Sequence, residues 1–370
     1  MRLASCYLAR VHVVKGKKKI VIFGLTVSSS WGNGHATLWR ALLRTLASRG
    51  HEAVFFERDV PWYASTRDLW RGEGYDLVLY ADWNSVLQQA QKALADADVA
   101  VVTSYCPDAV AASELVLATR HVLHVYYDLD TPVTLERLDR GESVEYLPPE
   151  GLGGFDLVLS FTGGKALEAL ETRLGAKRAL PLYGSVDTTA HFPVSPLPRY
   201  HADLSYLGTY AADRQDGVER LLLGAARALP EKRFVVGGSM YPREFPWTDN
   251  IWFLEHVPPP EHPAFYCSSK LTLNVTRAAM ASYGYCPSGR LFEAAACGTP
   301  ILSDTWDGLD TFFDPGTEIL VAKTTEESIE AMRLPESELA RIADGARKRA
   351  LGDHTAERRA EQMVGFFEGA

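Results

Sequence analysis

A helix start rich in small residues is the segment of this sequence best suited to bind an anion. Pro287, Ser288 and Gly289 open an apolar helical pattern, with Ser288 as the expected N-cap. The free backbone N–H groups and the positive dipole end of such a helix attract phosphate groups. Arg290 falls in its first turn, and Glu293 lies one turn further along the same face. The helix start and Arg290 could therefore hold a diphosphate while Glu293 accepts hydrogen bonds from two ribose hydroxyls. Alternatively, the two side chains form an ordinary exposed ion pair.

Two more arginines are candidate phosphate partners. Arg214 follows a predicted strand, in the loop GTYAADRQ, and Arg277 lies at the carboxyl end of another. Because a guanidinium binds phosphate in a bidentate manner, either side chain could offset the charge of a diphosphate without a metal. The alternative for both is a surface position without a function.

A polar turn with two glycines follows the first predicted strand. In the sequence SSSWGNGH, Gly32 and Gly34 flank Asn33, and His35 falls in the first turn of the next helix. The glycines would let the backbone approach a phosphate or a sugar. The spacing differs from the Gly-x-Gly-x-x-Gly dinucleotide fingerprint, so NAD is not favoured. The alternative is a plain strand–helix turn that Asn33 caps.

Two aspartates follow a later apolar run, in the sequence HVYYDLDTP. Asp128 and Asp130 would lie just beyond the carboxyl end of a strand, where a carboxylate could orient or deprotonate a hydroxyl group. The spacing also matches a short Asp-x-Asp metal-binding pattern, but matches of three residues are common by chance, and no metal is expected. The alternative is an Asx-turn that leads into Thr131 and Pro132.

Short apolar runs that alternate with helical patterns would position these residues. Before residue 183 the runs are Ile20–Leu25, Ala53–Phe56, Leu77–Tyr80, Val99–Val102, Val122–Tyr126 and Leu157–Ser160; after residue 203 they are Leu204–Leu207, Phe234–Val236, Leu271–Val275, Ile301–Leu302 and Ile319–Val321. Apolar strands separated by helices indicate parallel sheets that are covered on both faces. A proline-containing connection, Tyr183–Tyr200, separates the two halves. The sequence therefore predicts an α/β fold with two Rossmann-like, doubly wound domains, whose strand ends face a central cleft.

The overall composition is that of a soluble globular protein. Of the 370 residues, 46% are hydrophobic and 23% charged, and the net charge of −9 argues against a nucleic-acid partner. Five scattered cysteines without a Cys-x-x-Cys pair fit a reducing cytoplasm, and no apolar run is long enough to span a membrane. We expect a cytoplasmic protein.

The segment GYCPSGRLFEAAACGTPILSD, with the following Gly308-Leu309-Asp310 and Pro315-Gly316, resembles the donor-domain signature of GT-B glycosyltransferases. Within that fold it is similar to the CgeB-like spore-maturation family. The run from Tyr183 to Asp187, followed by Phe192-Pro193, resembles the linker that joins the halves of many GT-B enzymes. The resemblance implies a diphosphate-binding role for Arg214 and a base pocket near Gly238-Ser239 and His256-Val257.

One position departs from the GT-B pattern. Many retaining enzymes of this fold carry two glutamates, of which Glu293 matches the second. Tyr285 stands where the first is expected, so it is a candidate for contact with the donor sugar, and retention of the anomeric configuration is in doubt.

The combined prediction is a hexosyltransferase-like GT-B enzyme that works without a metal or a resident cofactor. It would transfer a sugar from a nucleoside-diphosphate donor, with UDP expected first, to an unidentified sugar, lipid or protein acceptor, in polysaccharide or glycoconjugate biosynthesis. The predicted division is an extension over residues 1–18, an acceptor-side domain over 19–183, a linker over 184–202, a donor domain over 203–350 and a C-terminal helix over 351–370 that would pack back on the first domain. Asp128, Asp130 and His35 are the predicted catalytic residues. The alternatives are a nucleotide-sugar epimerase on the same fold and a non-catalytic spore-coat or surface-layer scaffold.

Overall fold

A computed structural model describes residues 16–32 and 34–370 of the chain. Most of the predicted N-terminal extension and the loop residue Asn33 lie outside the described residues.

The first sheet is entirely parallel and has the strand order β3-β2-β1-β4-β5-β6-β7. Its strands are β1 (Lys19–Gly24), β2 (Glu52–Arg58), β3 (Asp76–Tyr80), β4 (Val99–Thr103), β5 (Leu123–Asp128), β6 (Leu157–Ser160) and β7 (Ala179–Pro181). The helices between them are α1 (His35–Ser48), α2 (Pro61–Ser65), α3 (Trp83–Ala95), α4 (Ala109–Ala118), α5 (Thr131–Asp139) and α6 (Lys165–Leu174). The winding direction reverses between β1 and β4, which creates the crevice where such sheets bind ligands.

The second sheet repeats this topology with the order β10-β9-β8-β11-β12-β13. Its strands are β8 (Leu204–Leu207), β9 (Phe234–Gly237), β10 (Ile251–Leu254), β11 (Thr272–Asn274), β12 (Ile301–Ser303) and β13 (Leu320–Val321). The helices are α7 (Gln215–Val218), which continues through a π-helical stretch (Glu219–Leu223) into α8 (Gly224–Ala228), then α9 (His262–Cys267), α10 (Ala278–Tyr283), α11 (Gly289–Ala296), α12 (Thr325–Met332), α13 (Glu336–Asp353) and α14 (Ala356–Glu368). The prediction of two Rossmann-like, doubly wound domains is confirmed.

The central strands are apolar throughout because both of their faces are covered. In β1, Ile22 packs on one face of the sheet with Trp39 of α1, in one apolar cluster. Its neighbour Phe23 points to the opposite face and packs against Trp83 of α3, with 5.8 Å between the ring centroids. Successive side chains of one strand therefore pack in two separate core layers. Polar residues are found mainly at the strand ends.

Two edge strands were absent from the prediction. The strand β7 has only three residues, and β10 exposes Trp252 and Phe253 to solvent at 44% and 39%. Neither segment carries the buried, continuous apolar run that identifies a central strand, since an edge strand has a neighbour on one side only.

The C-terminal helix α14 packs on the first domain. Its apolar face, which includes Met363 and Phe367, joins the core layer that contains Trp39 of α1. Arg359, only 7% exposed, donates hydrogen bonds to the carbonyl groups of Tyr183 and Gly184 in the connection between the two sheets. The chain therefore passes between the two domains twice, in the connection after β7 and again before α14. These two crossings lie together and hold one side of the cleft in place.

Candidate active site

The carboxyl ends of the two sheets face each other across a cleft with a volume of about 440 Å³. The loops after β1 and β5 form one wall, and the loops after β8 and β11 with the start of α11 form the other. Ten of the residues predicted from the sequence line this cleft: Gly32, Gly34, His35, Asp130, Arg214, Arg277, Ser288, Gly289, Arg290 and Glu293. Among the described residues that were predicted, Asp128 and Tyr285 do not line it.

The two walls approach each other at Gly32. This residue has a φ of +70°, and a Cβ atom on it would lie 3.7 Å from the Oγ of Ser239 in the second domain. A glycine suits this backbone conformation because a side chain would strain it. The first loop therefore reaches the wall formed by the second domain with its backbone.

His35 and Asp130 form a pair on the first wall. His35 begins α1, Asp130 directly precedes α5, and their Nε2 and Oδ2 atoms are 3.5 Å apart. The imidazole also meets the ring of Tyr105 edge-on, with 5.7 Å between the centroids. Both side chains are largely shielded, at 15% and 20% exposure. A carboxylate beside an imidazole can orient the ring and stabilise its protonated form, which is the arrangement required of a general base.

Asp128 occupies a different position from the one expected. It is the last residue of β5, is 1% exposed, and its Oδ1 accepts a hydrogen bond of 3.0 Å from the backbone N–H of Asp130. This is the Asx-turn geometry, in which the carboxylate shapes the turn that carries Asp130. Burial raises the pKa of Asp128 to about 6. Its contacts therefore support a structural role beneath the cleft.

The start of α11 presents backbone N–H groups to the cleft. Ser288 takes the N-cap position with an extended backbone (φ −66°, ψ 142°), and its side chain makes no capping hydrogen bond. The N-terminal turn of the helix thus keeps the positive potential that attracts an anion.

Arg290 ties α11 to the ends of two strands. Its Nε donates to the carbonyl oxygen of Leu207, its Nη1 donates to the Oδ1 of Asn274 at 2.8 Å, and its guanidinium lies 5.1 Å from the centroid of the Tyr206 ring. Arg290 and Glu293 thus have different partners, and the alternative of an exposed ion pair between them does not hold. The guanidinium brings positive charge to the floor of the cleft in a fixed orientation.

Arg214 and Arg277 lie on the same wall. The Nη1 of Arg214 donates to the carbonyl oxygen of Thr209 at 3.0 Å, and its buried Nε has no hydrogen-bond partner among the described residues. The Nε of Arg277 contacts both carboxylate oxygens of Asp213, at 2.9 and 3.2 Å. Burial alone would lower the pKa of Arg277, but the charge of Asp213 raises it. These two guanidinium groups and the start of α11 concentrate positive charge in one part of an acidic protein.

Glu293 lies deeper in the same wall, among three aromatic side chains. Tyr266 donates its hydroxyl to the Oε2 of Glu293 at 3.1 Å, and the same oxygen is 3.9 Å from the Nε2 of His191 and 3.9 Å from the Nδ1 of His262. Burial alone would raise the pKa of Glu293, but the neighbouring histidines and the Tyr266 hydroxyl lower it below its ordinary value. A shielded, ionised carboxylate results.

Tyr285 lies at a contact between the domains, away from the cleft. Its ring is enclosed by Gly164 and Gly308, on which a Cβ atom would come within 2.6 and 2.5 Å of it, and its carbonyl oxygen accepts a hydrogen bond of 3.0 Å from the N–H of Gly163. Its φ of 48° is unusual for a residue with a side chain. The expectation that this side chain faces the donor sugar therefore differs from the observed packing, which directs the ring against the first domain.

Sequence reasoning missed four residues that complete the site: His191, His262, Tyr266 and Asp213. The two histidines come from the interdomain connection and from the start of α9. His191 directly precedes Phe192-Pro193 of the linker pattern, but nothing local signals that either histidine will meet Glu293 of α11. Asp213 directly precedes Arg214, and only the fold shows that it pairs with Arg277.

Comparison with known proteins identifies the second domain. Residues 214–365 match the family model described as glycosyl transferase-like, a stretch that contains Arg214, Arg277 and the whole of α11. No curated protein sequence matches the chain.

Solved structures match almost the whole chain in fold at low sequence identity. An alpha-glucosyltransferase in complex with UDP-glucose and DNA containing an abasic site is 12% identical, with a TM-score of 0.70, over 95% of this chain and 100% of that one. Sucrose-phosphate synthase from Thermosynechococcus elongatus is 15% identical, with a TM-score of 0.68, over 95% and 99%. The Anabaena protein HepE in complex with UDP-glucose is 13% identical, with a TM-score of 0.66, over 95% and 100%. These similarities establish the fold.

No helix within residues 16–32 and 34–370 is long and apolar enough to cross a membrane. Residues 214–365 thus match a glycosyl transferase-like family model, and the architecture of the two domains together is that of the GT-B fold.

Proposed function

We propose that this chain transfers a sugar from a nucleoside-diphosphate donor, with UDP as the first base to test, to a hydroxyl group of an acceptor bound in the cleft. One observation carries the proposal. A cationic wall formed by Arg214, Arg277 and the start of α11 faces the His35–Asp130 pair across a single cleft. The solved relatives that hold UDP-glucose support UDP as the donor nucleotide.

On the donor side, the main chemical problem is the charge that develops on the leaving diphosphate. The N–H groups of Gly289 and Arg290 at the start of α11 would bind one phosphate, and the guanidinium of Arg214 would donate to the other. Arg277 is held by Asp213 through Nε, so its terminal nitrogens would turn toward the diphosphate. Such preorganised donors stabilise the leaving group without a metal ion, because their dipoles and charges need no reorganisation during the reaction.

The carboxylate of Glu293 would accept hydrogen bonds from the ribose hydroxyls. Tyr266 already donates to its Oε2, which fixes the carboxylate plane. Because the side chain is only 15% exposed, water screens these hydrogen bonds weakly.

On the acceptor side, His35 would remove the proton from the attacking hydroxyl, and Asp130 would stabilise the resulting imidazolium. The 3.5 Å separation between the two side chains is slightly long for a hydrogen bond, and such contacts commonly shorten when substrate binds. Residues 19–183 would thus bind the acceptor and residues 203–350 the donor, and closure of the cleft would exclude water from the reacting atoms.

Binding of UDP tests the donor half of the proposal. Replacement of Arg214 with glutamine removes a charged donor, which is worth about 1.5–3 kcal/mol, so the Kd for UDP should rise by a factor of about 10–150. Arg227→Gln is the matched control, because Arg227 is 46% exposed in the same domain and pairs with Glu219. If isothermal titration calorimetry shows no binding of UDP, GDP, ADP or dTDP to the native chain, the proposal is wrong.

Release of UDP from UDP-glucose tests the catalytic half without knowledge of the acceptor, since water can replace it slowly. His35→Gln should reduce this release by about 10²–10⁴-fold, as loss of a general base does, while the Kd for UDP stays unchanged. Unchanged release would remove His35 from the mechanism.

A further inference from the structure

Three side chains from separate elements converge beside the ribose position proposed above. His191 lies in the connection between the sheets, His262 begins α9, and Glu293 lies in the middle of α11. One ring nitrogen of each histidine and a carboxylate oxygen of Glu293 all lie within 4.8 Å of one another. This set of donors is called the His–His–Glu cluster below.

The tautomer of His262 follows from its hydrogen bond. Its Nε2 is 3.1 Å from the carbonyl oxygen of Val257, which can only accept, so Nε2 carries the proton. In the neutral ring, Nδ1 then has a lone pair, and this lone pair lies 3.9 Å from the Glu293 carboxylate. In the neutral ring, the Nδ1 of His262 and the carboxylate of Glu293 are both hydrogen-bond acceptors, and they face each other. An electron-poor group between them would interact favourably with both.

His191 strengthens this argument. The residue is 6% exposed, and neither of its ring nitrogens has a hydrogen-bond partner among the described residues. A buried imidazole without a partner costs free energy unless a ligand supplies one. Its Nε2 is 3.9 Å from the same Oε2 of Glu293 that His262 approaches.

We propose that the His–His–Glu cluster is a binding site for a transition-metal ion of the Zn²⁺ class, and that this ion and the ribose of the nucleotide compete for Glu293. Two imidazoles and a carboxylate, with one open position, form a donor set that Zn²⁺ takes in proteins. Imidazole ligands favour Zn²⁺ over Mg²⁺ or Ca²⁺, which prefer oxygen ligands.

Two of the three separations between the ligand atoms require only a small adjustment. Tetrahedral Zn²⁺ with bonds of about 2.0–2.1 Å keeps its ligand atoms roughly 3.3–3.4 Å apart. The two 3.9 Å separations would therefore shorten by about half an ångström. Outer contacts of the kind that orient metal ligands are already in place, because Val257 holds the ring of His262 and Tyr266 holds the carboxylate of Glu293.

The competition follows from the shared ligand. An ion bound to Oε2 would withdraw charge from Glu293 and occupy the space beside it, so the carboxylate would accept ribose hydroxyls less well. Zinc would thus act as an inhibitor of nucleotide binding, which is distinct from a metal that assists departure of the diphosphate. This part of the inference rests on the proposed function, whereas binding of the ion does not.

Titration with Zn²⁺ alone, followed by calorimetry, tests the site. The native chain should bind one ion, and His191→Ala or His262→Gln should weaken binding by at least about tenfold, the loss seen even for outer-shell partners of a metal. His201→Ala is the control for adventitious histidine binding, because His201 is exposed and outside the cleft. Far-UV circular dichroism and the urea unfolding midpoint of His191→Ala and His262→Gln, compared with the native chain, show whether both variants fold.

Co²⁺ provides a second measurement on the unmodified chain, because tetrahedral Co²⁺ with nitrogen and oxygen ligands absorbs visible light strongly. No visible band, or equal Zn²⁺ binding in the native chain and in both cleft variants, would overturn the proposal. In a separate titration, the apparent affinity for UDP should fall as Zn²⁺ is added; simultaneous, independent binding would overturn the competition. The Zn²⁺ titration contains no nucleotide, so its failure leaves the proposed transferase function intact.

Discussion

Replacement of Glu293 with glutamine isolates the charge of one carboxylate. Glutamine has the same shape and can keep the hydrogen bond from Tyr266, so the packing of α11 should persist. What changes is the strength with which the side chain accepts hydrogen bonds from the ribose hydroxyls. A hydrogen bond to a charged group contributes about 1.5–3 kcal/mol, and at 15% exposure Glu293 is poorly screened by water. The remaining amide oxygen can still accept one bond, so we expect a loss of about 2 kcal/mol, or roughly 30-fold in the Kd for UDP.

A thermodynamic cycle assigns this loss to the ribose. Calorimetry would compare UDP with 2′,3′-dideoxy-UDP, on the native chain and on Glu293→Gln. Because the dideoxy nucleotide lacks both hydroxyls, the substitution should cost it little, and the difference between the two costs is the interaction energy. Glu326→Gln serves as the control, because Glu326 is an exposed glutamate of the same domain, on α12.

Two results would refute the reasoning. An equal loss of affinity for both nucleotides would mean that the substitution disturbs the cleft in general. Unchanged affinity for UDP would mean that Glu293 does not contact the ribose, and the carboxylate would then be available only for the His–His–Glu cluster.

Three further predictions concern the scaffold of the site. The pKa of Asp128 is about 6 in the folded chain against an ordinary value of 3.8, so its contribution to stability is full below pH 3.8 and is lost as the pH rises through 6. Asp128→Asn should therefore raise the free energy of unfolding at pH 8 by up to about 3 kcal/mol, and the gain should fade toward pH 4. Arg359→Met leaves buried carbonyl groups of the interdomain connection without their hydrogen-bond donor, so it should lower the free energy of unfolding by about 3 kcal/mol or more. The control is Arg358→Met: this side chain is 53% exposed, and its loss should change the free energy of unfolding by less than about 0.5 kcal/mol. Tyr285→Phe should leave the Kd for UDP within about twofold, because the ring packs against Gly164 and not in the cleft.

Each of these predictions has a contrary outcome. Urea denaturation at several pH values would contradict the first if Asp128→Asn were destabilising at pH 8. The second fails if Arg359→Met and Arg358→Met unfold alike. A large loss of UDP affinity in Tyr285→Phe would return this side chain to the donor site, as the sequence pattern first suggested.

The fold could be predicted almost completely from local patterns. Runs such as Ile20–Leu25 and Leu204–Leu207 are largely apolar because central parallel strands are covered on both faces. Since this requirement applies to consecutive residues, the sequence alone shows where such strands lie. The helix start at Ser288 was equally readable, since an N-cap and the residues of the following turn are close in sequence. The strands β7 and β10 escaped prediction because β7 has only three residues and β10 leaves Trp252 and Phe253 exposed, so neither carries a continuous buried run.

The candidate site was predictable mainly where a residue lies between the end of a strand and the first turns of the next helix. Arg214, Arg277 and Asp130 fall at such places, so the topology alone brings them to the cleft. The direction of a side chain at these places is not a local property. Asp128 and Asp130 are two residues apart, yet the first is buried in the turn and the second lines the cleft.

Sequence alone determined the two doubly wound domains, the helix start at Ser288 and the resemblance to the GT-B glycosyltransferases. Only the tertiary structure decided that His35 meets Asp130, that Tyr285 packs against the first domain, and that His191 and His262 surround Glu293. The physical reason is that periodicity and capping act over one or two turns of chain. The partners of a polar side chain, in contrast, come from whichever elements the packing of two cores brings together.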